Sequence, residues 1–293
     1  FLDKIFFRSR NLDYISQNLI NLTNQTPAKR IFEAINTYSE NSEVRYVGGC
    51  VRKIIKKEIV DDIDLATNLK PSEVCDALKK QDINYYETGI EHGTITAIID
   101  DYKYEITSLR RDVSTDGRHA KVEFSSDWKE DAARRDFSIN SIYSDKNGNL
   151  FDPYNGKKDL ESGNINFIGD SENRIKEDYL RILRYVRFFI NYSNQSHDIN
   201  IIKKIKKNIG GVSKLSSERL LDEFKKLTKS NAFLKIFNDK VSLELIEIIF
   251  PQLKNLENFK KLNSYALDNL SKVDFIFLLS LLIVDGTDNT DYF

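Results

Sequence analysis

Residues 44–66 read VRYVGGCVRKIIKKEIVDDIDLA, and this stretch decides the fold of the first part of the chain. Its first four residues favour a strand, which the turn-forming pair Gly48-Gly49 ends. Residues 51–57 favour a helix, and residues 61–66 favour a second strand. The succession of strand, helix and strand predicts a small α/β domain, which further strand and turn signals extend over residues 41–170.

The rest of the chain is predicted to be helical. Apolar residues recur at helical spacing in residues 1–40, and from Ser171 onward only helix signals occur. Inside the α/β domain, β-rich runs flank Asp100-Asp101 and also residues 146–149, so both places are predicted to be hairpins. The sequence therefore predicts an α+β protein in which a mixed α/β domain precedes an all-helical region.

Charge is spread unevenly along the chain. The 293 residues carry a formal net charge of -1, yet residues 171–230 contain 14 Lys and Arg against 7 Asp and Glu. A basic segment in a nearly neutral protein is typical of a localised phosphate-binding face. The alternative is an ordinary solvated helical surface.

Cysteine and histidine are too sparse for a zinc site. Cys50 and Cys75 do not have metal-ligand spacing, and the three histidines are scattered. We therefore expect a reduced, cytoplasmic protein without a signal peptide. The longest apolar run, residues 275–284, is too short to span a bilayer and predicts a core helix and no membrane association. Because the chain starts at Phe1 and contains no Met, we expect its true start to be missing.

Asp62 and Asp64 are the candidate metal ligands. Residues two apart on a strand project to the same face, so the two carboxylates would lie side by side while Ile63 and Leu65 face inward. Adjacent carboxylates repel each other unless a cation lies between them, and Mg²⁺ prefers oxygen ligands. The pair predicts a two-metal site that activates a hydroxyl and stabilises a leaving phosphate. An acidic turn that includes Asp61 is the alternative.

Phosphate-binding residues surround this acidic pair in the sequence. Gly48 and Gly49 let the backbone approach a phosphate, and Arg52 in the next helix can add a charged hydrogen bond. Glu105 is a candidate third carboxylate if its strand neighbours that of Asp62, and a solvent-facing glutamate is the alternative. Arg135 is a candidate triphosphate clamp, with buried Arg–Asp packing as the alternative.

Asp178, Arg181, Arg184 and Arg187 recur every three residues and predict a stripe along one helix. A carboxylate accepts from an exocyclic amino group and a guanidinium donates to a ring nitrogen or carbonyl, so Asp178 and Arg181 form an edge complementary to cytosine or adenine. Uracil and guanine present a carbonyl there, which Asp178 opposes. Arg184 and Arg187 would reach ribose or phosphates. The alternative is a ladder of ion pairs on a solvated face.

Taken together, these strings resemble the class II tRNA nucleotidyltransferases, the bacterial CCA-adding enzymes, and their relatives the bacterial poly(A) polymerases. The matching strings come in the family's order and span roughly residues 44–230. They are Val47-Gly48-Gly49-Cys50-Val51-Arg52, Asp62-Ile63-Asp64-Leu65-Ala66-Thr67, Gly89 with His92-Gly93-Thr94, Tyr104-Glu105-Ile106-Thr107, Asp116-Gly117-Arg118, Arg134-Arg135-Asp136-Phe137-Ser138-Ile139-Asn140, Phe151-Asp152-Pro153-Tyr154-Asn155-Gly156, and Glu177-Asp178 through Arg187.

The resemblance implies a polymerase-beta-like nucleotidyltransferase head over residues 41–170, after an N-terminal helical segment over residues 1–40. It implies an all-helical neck over residues 171–235, which selects the nucleotide and binds RNA, and the start of a helical body over residues 236–293, apparently truncated. Residues 110–122 resemble a flexible loop tied to the switch from CTP to ATP. The implied metal ligands are Asp62 and Asp64, and the implied CTP- or ATP-binding residues are Gly49, Arg52, Arg135, Asp178, Arg181, Arg184 and Arg187.

The function that the resemblance implies is Mg²⁺-dependent addition of C and A, from CTP and ATP, to the 3′ end of tRNA. Poly(A) polymerase, A-only and CC-only activities stay open within the same chemistry. A catalytically silent RNA-binding relative is the alternative from another class. The chain departs from the family at Lys53, where an Asp usually follows the arginine of the first motif.

Overall fold

The computed structural model describes residues 13–115, 120–230, 232–259, 261, 269 and 272–284. These residues form two compact units. The first, which we call the head unit, extends to Leu160, and the second, which we call the helical unit, starts at Glu161.

The head unit contains a mixed sheet and the helices that cover it. Its helices are α1 (Tyr14–Gln25), α2 (Ala28–Asn36), α3 (Gly49–Ile55), α4 (Pro71–Lys80), α5 (Trp128–Ala133) and α6 (Gly156–Ser162), the last of which runs two residues into the helical unit. Its strands are β1 (Val44–Val47), β2 (Ile63–Thr67), β3 (Asn84–Gly89), β4 (Thr94–Ile99), β5 (Tyr102–Ser108), β6 (Arg110–Thr115), β7 (Ala120–Phe124), β8 (Tyr143–Ser144) and β9 (Leu150–Phe151).

Seven of these strands form one sheet in the order β3-β4-β5-β2-β1-β8-β9. The pair β2–β5 is parallel and the other neighbours are antiparallel. Both predicted hairpins are confirmed, since β4 pairs with β5 and β8 pairs with β9. Asp100 takes a positive φ of 54° in the first of these turns, as tight two-residue hairpin turns require.

One face of the sheet carries the main core of the head unit. Ile63 and Leu65 of β2 are buried there, as the alternation predicted, together with Tyr104 and Ile106 of β5. Helices α1 and α2 contribute Leu19, Ile31, Phe32 and Ile35 to the same core. The opposite face is covered over β1 and the adjoining part of β2 by a smaller cluster that includes Val47, Ala66 and Tyr143. The rest of that face therefore stays open for polar side chains.

Strands β6 and β7 form a separate antiparallel hairpin. This hairpin covers the residues 110–122 for which the family resemblance implies a flexible loop, and residues 116–119 at its tip lie outside the described residues. The described residues on both sides of the tip are therefore paired as β-strands, where the resemblance led us to expect a loop.

The helical unit confirms the prediction that helices alone follow Ser171 in the described residues. They are α7 (Ser171–Glu177), α8 (Leu180–Tyr192), α9 (Ile199–Asn208), α10 (Ser217–Thr228), α11 (Lys240–Ile249), α12 (Leu256–Phe259) and α13 (Phe275–Ile283). The apolar run 275–284 was predicted to be a core helix, but α13 buries only Leu278 and Leu282, while Ile276 is 66% and Phe277 58% exposed. The four-part division of the chain stays a prediction.

Candidate active site

Gly48 and Gly49 form the turn at which β1 passes into α3. Gly48 has φ 67° and ψ -112°, a conformation open to glycine and strained for other residues. A Cβ at Gly49 would lie 3.9 Å from Oδ2 of Asp64, and a Cβ at Gly48 would lie 3.6 Å from Nη1 of Arg135. The glycine turn therefore runs directly beside a predicted metal ligand and a predicted phosphate ligand.

Asp64 and Glu105 face each other across the parallel pair β2–β5. The sequence made Glu105 a candidate third carboxylate only if its strand neighboured that of the acidic pair. The structure shows that these strands, β5 and β2, are neighbours. Asp64 is half-buried and Glu105 is exposed. Burial and then the charge of Glu105 raise the pKa of Asp64 to about 6, although Arg135 and Arg52 act in the opposite direction. The site thus concentrates negative charge that a bound cation would offset.

Asp62 lies one residue before β2 and is exposed, and its charge also raises the pKa of Asp64. In the described part of the chain, no group of three or more His, Cys, Asp and Glu side chains could by itself hold a metal ion. A site with two carboxylates suits Mg²⁺ by its donor type, because Mg²⁺ keeps several waters and takes one or two carboxylates together with substrate phosphates. Asp62 and Asp64 fit that donor set.

Arg52 is buried in α3 and held by the segment that follows α5. Its Nη1 donates to Oδ1 of Asn140, whose amide donates in turn to Asp136 at 2.9 Å. Asn140, which sequence reasoning did not assign, therefore helps to orient Arg52. Lys53, the departure from the family, turns away to pair with Asp61.

Arg135 belongs to a buried network. It donates to Oδ2 of Asp131 from Nη2 at 3.1 Å and to the hydroxyl of Tyr143 from Nε at 3.0 Å. Asp131 also pairs with Arg134 at 2.7 Å and is 1% exposed. The sequence reasoning missed Asp131 and Tyr143, and it posed buried packing and a phosphate clamp as alternatives. The network fixes the arginine while its Nη1 stays beside Gly48, so one side chain is both packed and directed at the glycine turn.

Asp178 does not lie on a helix, which corrects the prediction of one helical stripe from Asp178 to Arg187. Helix α7 ends at Glu177, Asp178 is extended with φ -152° and ψ 105°, and α8 begins at Leu180. The Asp178 carboxylate accepts from the N–H of Leu180 at 3.1 Å and pairs with Arg219 at 2.8 Å. A short polar side chain that accepts from backbone N–H groups competes with helix continuation, which explains the break.

Arg181 lies in the first turn of α8 and is 12% exposed. Its Nη1 donates to Glu177 at 2.7 Å and to the carbonyl of Arg174 at 2.7 Å. Glu177 also pairs with Arg174, so one carboxylate orients two arginines. Glu177 was part of the quoted motif, but only the structure shows what it binds.

Arg184 and Arg187, on successive turns of α8, both approach Glu223 of α10. The Nε of Arg187 donates to Glu223, and Arg184 lies 3.8 Å from the same carboxylate, which is 2% exposed. The alternative of an ion-pair ladder on a solvated face does not describe these two residues, because both approach a buried carboxylate on another helix.

The basic segment is partly neutralised by nearby acids. Lys204 pairs with Asp170 at 2.9 Å, Lys206 with Glu244 at 2.6 Å, and Lys207 with Glu172 at 2.8 Å. The count of charges along the sequence therefore overstates the free positive charge of this surface. None of the helices in the described ranges has the length and apolar character needed to cross a membrane.

Two families match the chain. The family described as "Poly A polymerase head domain" matches residues 44–166, and the family described as "Probable RNA and SrmB- binding site of polymerase A" matches residues 198–257. The first match lies over the acidic pair and the glycine turn, and the second lies within the helical unit.

Similar proteins carry related names. The human "CCA tRNA nucleotidyltransferase 1, mitochondrial" is 39% identical over 249 residues, which cover 84% of this chain and 57% of the human protein. The "CCA-adding enzyme" of Staphylococcus haemolyticus (strain JCSC1435) is 33% identical over 265 residues, or 90% of this chain and 63% of that enzyme. This chain thus spans about three fifths of the length of these relatives.

A solved structure, the Bacillus stearothermophilus CCA-adding enzyme in complex with CTP, has a TM-score of 0.64 at 24% identity, covering 87% of this chain and 67% of that chain. The predicted fold class, a polymerase-beta-like head followed by helices, is confirmed.

Proposed function

Because the chain belongs to the family of the CCA-adding tRNA nucleotidyltransferases and bacterial poly(A) polymerases, we propose that it adds C and A, from CTP and ATP, to the 3′ end of tRNA and releases pyrophosphate. The observation that carries this proposal is the position of Asp64. Its carboxylate lies beside the backbone of Gly49 and faces Glu105, while Arg52 and Arg135 are close enough to shift its pKa.

Asp62 and Asp64 would hold Mg²⁺, which when bound supplies charge neutralisation on the triphosphate and on the attacking hydroxyl. Glu105 is the third carboxylate beside this pair. Gly48 and Gly49 let the triphosphate approach the backbone, and Arg52 and Arg135 would bind its oxygens. Hydrogen bonds to Asn140 hold Arg52 in place, and hydrogen bonds to Asp131 and Tyr143 hold Arg135 in place. Both arginines are therefore oriented before the substrate arrives, so little side-chain entropy is lost on binding.

Asp178 and Arg181 would select the base. The Asp178 carboxylate accepts an exocyclic amino group, and the Arg181 guanidinium donates to the ring. Arg219 and Glu177 orient these two side chains through the ion pairs described above. Arg184 and Arg187 would contact ribose or phosphate, and Glu223 sets their direction.

The test is incubation of the protein with CTP, ATP, Mg²⁺ and a tRNA that lacks its CCA end. The products are then sequenced. We expect CCA ends with the parent protein and less than a tenth of that addition with Asp62→Ala or Asp64→Ala. A matched control is Asp61→Ala, since Asp61 is adjacent but pairs with Lys53. Products that end in long A tracts, in A alone or in CC alone would identify the related activities, and no incorporation would identify a silent RNA-binding relative.

For location we propose the cytoplasm, on the basis of two free, buried cysteines in the described residues. The human relative is named as mitochondrial. Fractionation of cells that express the full-length protein distinguishes the two compartments.

A further inference from the structure

A row of polar side chains crosses the sheet away from Asp64. Asp64 of β2 faces Glu105 of β5, Glu105 faces Thr96 of β4, and Thr96 faces Tyr86 of the edge strand β3. Facing residues on paired strands project to the same side of the sheet, so the four side chains share one face.

Burial identifies this face as the open one. The neighbours of the row in the sequence, including Leu65, Tyr104 and Ala97, are buried in the main core on the other face. Within the row Asp64 and Thr96 are half-buried, Glu105 is exposed, and Tyr86 at the far end is 58% exposed. A bulge follows Tyr86, where the pairing of β3 with β4 shifts register.

The two sides of Asp64 differ in chemistry. Toward β1 lie the glycine turn, Arg52 and Arg135, which suit an anionic triphosphate. Toward β3 lie a carboxylate, a hydroxyl and an aromatic ring, and the exposed Lys103 of β5 is on the same face as Glu105. Hydroxyls, an aromatic ring and a lysine suit ribose, base and backbone phosphate of single-stranded RNA.

We propose that Tyr86 is a stacking platform for a base near the 3′ end of the RNA acceptor, which lies along the row Asp64–Glu105–Thr96–Tyr86. The inference rests on the proposed function, because it assigns the acceptor to the β3 side of Asp64 and the incoming nucleotide to the β1 side. Strands are about 4.8 Å apart, so the row spans roughly 14 Å, a length of a few nucleotides. Aromatic side chains that hold single strands stack on bases without reading their sequence.

The first test compares Tyr86→Ala with Tyr86→Phe, which keeps the ring. The matched control is Tyr102→Ala: Tyr102 is 44% exposed on the same sheet, but its ring stacks beside buried Tyr104 on the other face. In steady-state addition to tRNA lacking its CCA end, we expect Tyr86→Ala to raise the KM for RNA about tenfold. The KM for CTP and kcat at saturating RNA should stay within about twofold, and the Phe and Tyr102 variants should match the parent.

The second test is an equilibrium measurement that does not depend on turnover. An acceptor-stem RNA carries 2-aminopurine at one of its last three positions, and its fluorescence is quenched where the base stacks on the ring. We expect quenching at one position with the parent and Tyr86→Phe, and its loss with Tyr86→Ala. An unchanged KM for RNA with unchanged quenching overturns the inference, and so does a rise in the KM for CTP alone. If the parent adds no nucleotide, the proposed function fails, and the quenching comparison still decides whether Tyr86 binds RNA.

Discussion

Asp64 and Glu105 occupy facing positions on the parallel strands β2 and β5, so two carboxylates lie side by side on the open face of the sheet. Burial is the largest cause of the raised pKa of Asp64, about 6, and the charge of Glu105 is the second. Ionised Asp64 is therefore costly in the absence of a cation. Replacement of Asp64 should therefore change the stability of the protein as well as its activity.

Asp64→Asn should stabilise the metal-free protein at pH 8 while it removes nucleotide addition. The folded pKa is above the unfolded one, so ionisation of Asp64 opposes folding increasingly as the pH rises from about 4 to 6, and by a constant amount above. We expect a gain of about 1–2 kcal/mol in the free energy of unfolding at pH 8 in EDTA. The measurement is denaturant unfolding at pH 8 and pH 5, where the gain should shrink. Mg²⁺ should stabilise the parent more than the variant, and equal stabilisation would count against Asp64 as a ligand.

Asp131→Asn should destabilise the head unit. Burial opposes the ionisation of Asp131, but Arg135, Arg134 and the hydroxyl of Tyr143 together lower its pKa to about 2. Its contribution to stability is therefore present above about pH 4 and is lost as the pH falls through about 2. Because two arginines would lose a buried partner, we expect a cost of about 3 kcal/mol at pH 7.

The control for Asp131→Asn is Asp127→Asn at the start of the same helix, where the carboxylate accepts from the N–H of Lys129. Asn caps helices as well as Asp does, so unfolding of this variant should match the parent within about 0.5 kcal/mol. Equal unfolding curves for both variants would show that the buried network is not what stabilises this part of the head.

Asp178→Ala should relax the choice of base. The acceptor that opposes carbonyl-bearing bases is lost, and a misplaced polar contact in a dry site costs on the order of 1–3 kcal/mol, so UTP and GTP should enter at least tenfold more readily relative to CTP and ATP. Arg181→Ala should slow all four nucleotides with less relaxation. The measurement is single-turnover incorporation of each nucleotide into tRNA without its CCA end.

Arg219→Ala is the matched control for Asp178→Ala, because it removes the ion pair with Asp178 but keeps the carboxylate. It should lower the rate and retain the rejection of UTP and GTP. If Asp178→Ala also retains that rejection, Asp178 is not part of a base template, and its role is limited to the hydrogen bond from the N–H of Leu180 and the pair with Arg219.

Charge reversal at Lys203, Lys204, Lys206 and Lys207 together should weaken tRNA binding and flatten its salt dependence, while CTP binding stays unchanged. The structure refines this expectation, because three of the four lysines pair with Asp170, Glu244 and Glu172. Lys203→Glu should therefore reduce the slope of log K against log salt by about 1, more than Lys206→Glu does. An unaltered slope in the quadruple variant would mean that the surface does not contact phosphate.

Much of the head was predictable because its signals are local. Alternation in residues 61–66 placed Ile63 and Leu65 in the core, and turn residues marked both hairpins. The break at Asp178 was not predicted, because the spacing of three continues through it. The end of α7 is visible only in the structure, where the backbone of Asp178 is extended and its carboxylate accepts from the N–H of Leu180.

The sequence by itself determined which residue types were available: two aspartates two apart, a glycine pair, and arginines beside acidic residues. Tertiary structure decided their partners. Arg187 binds Glu223 from 36 residues away, Arg52 binds Asn140 from 88 residues away, and Asp64 faces Glu105 only because β2 and β5 pair in parallel. Local propensity acts within a few residues, whereas strand pairing and buried ion pairs join distant segments whose separation along the chain carries no distance information, and so these partners could be read only from the fold.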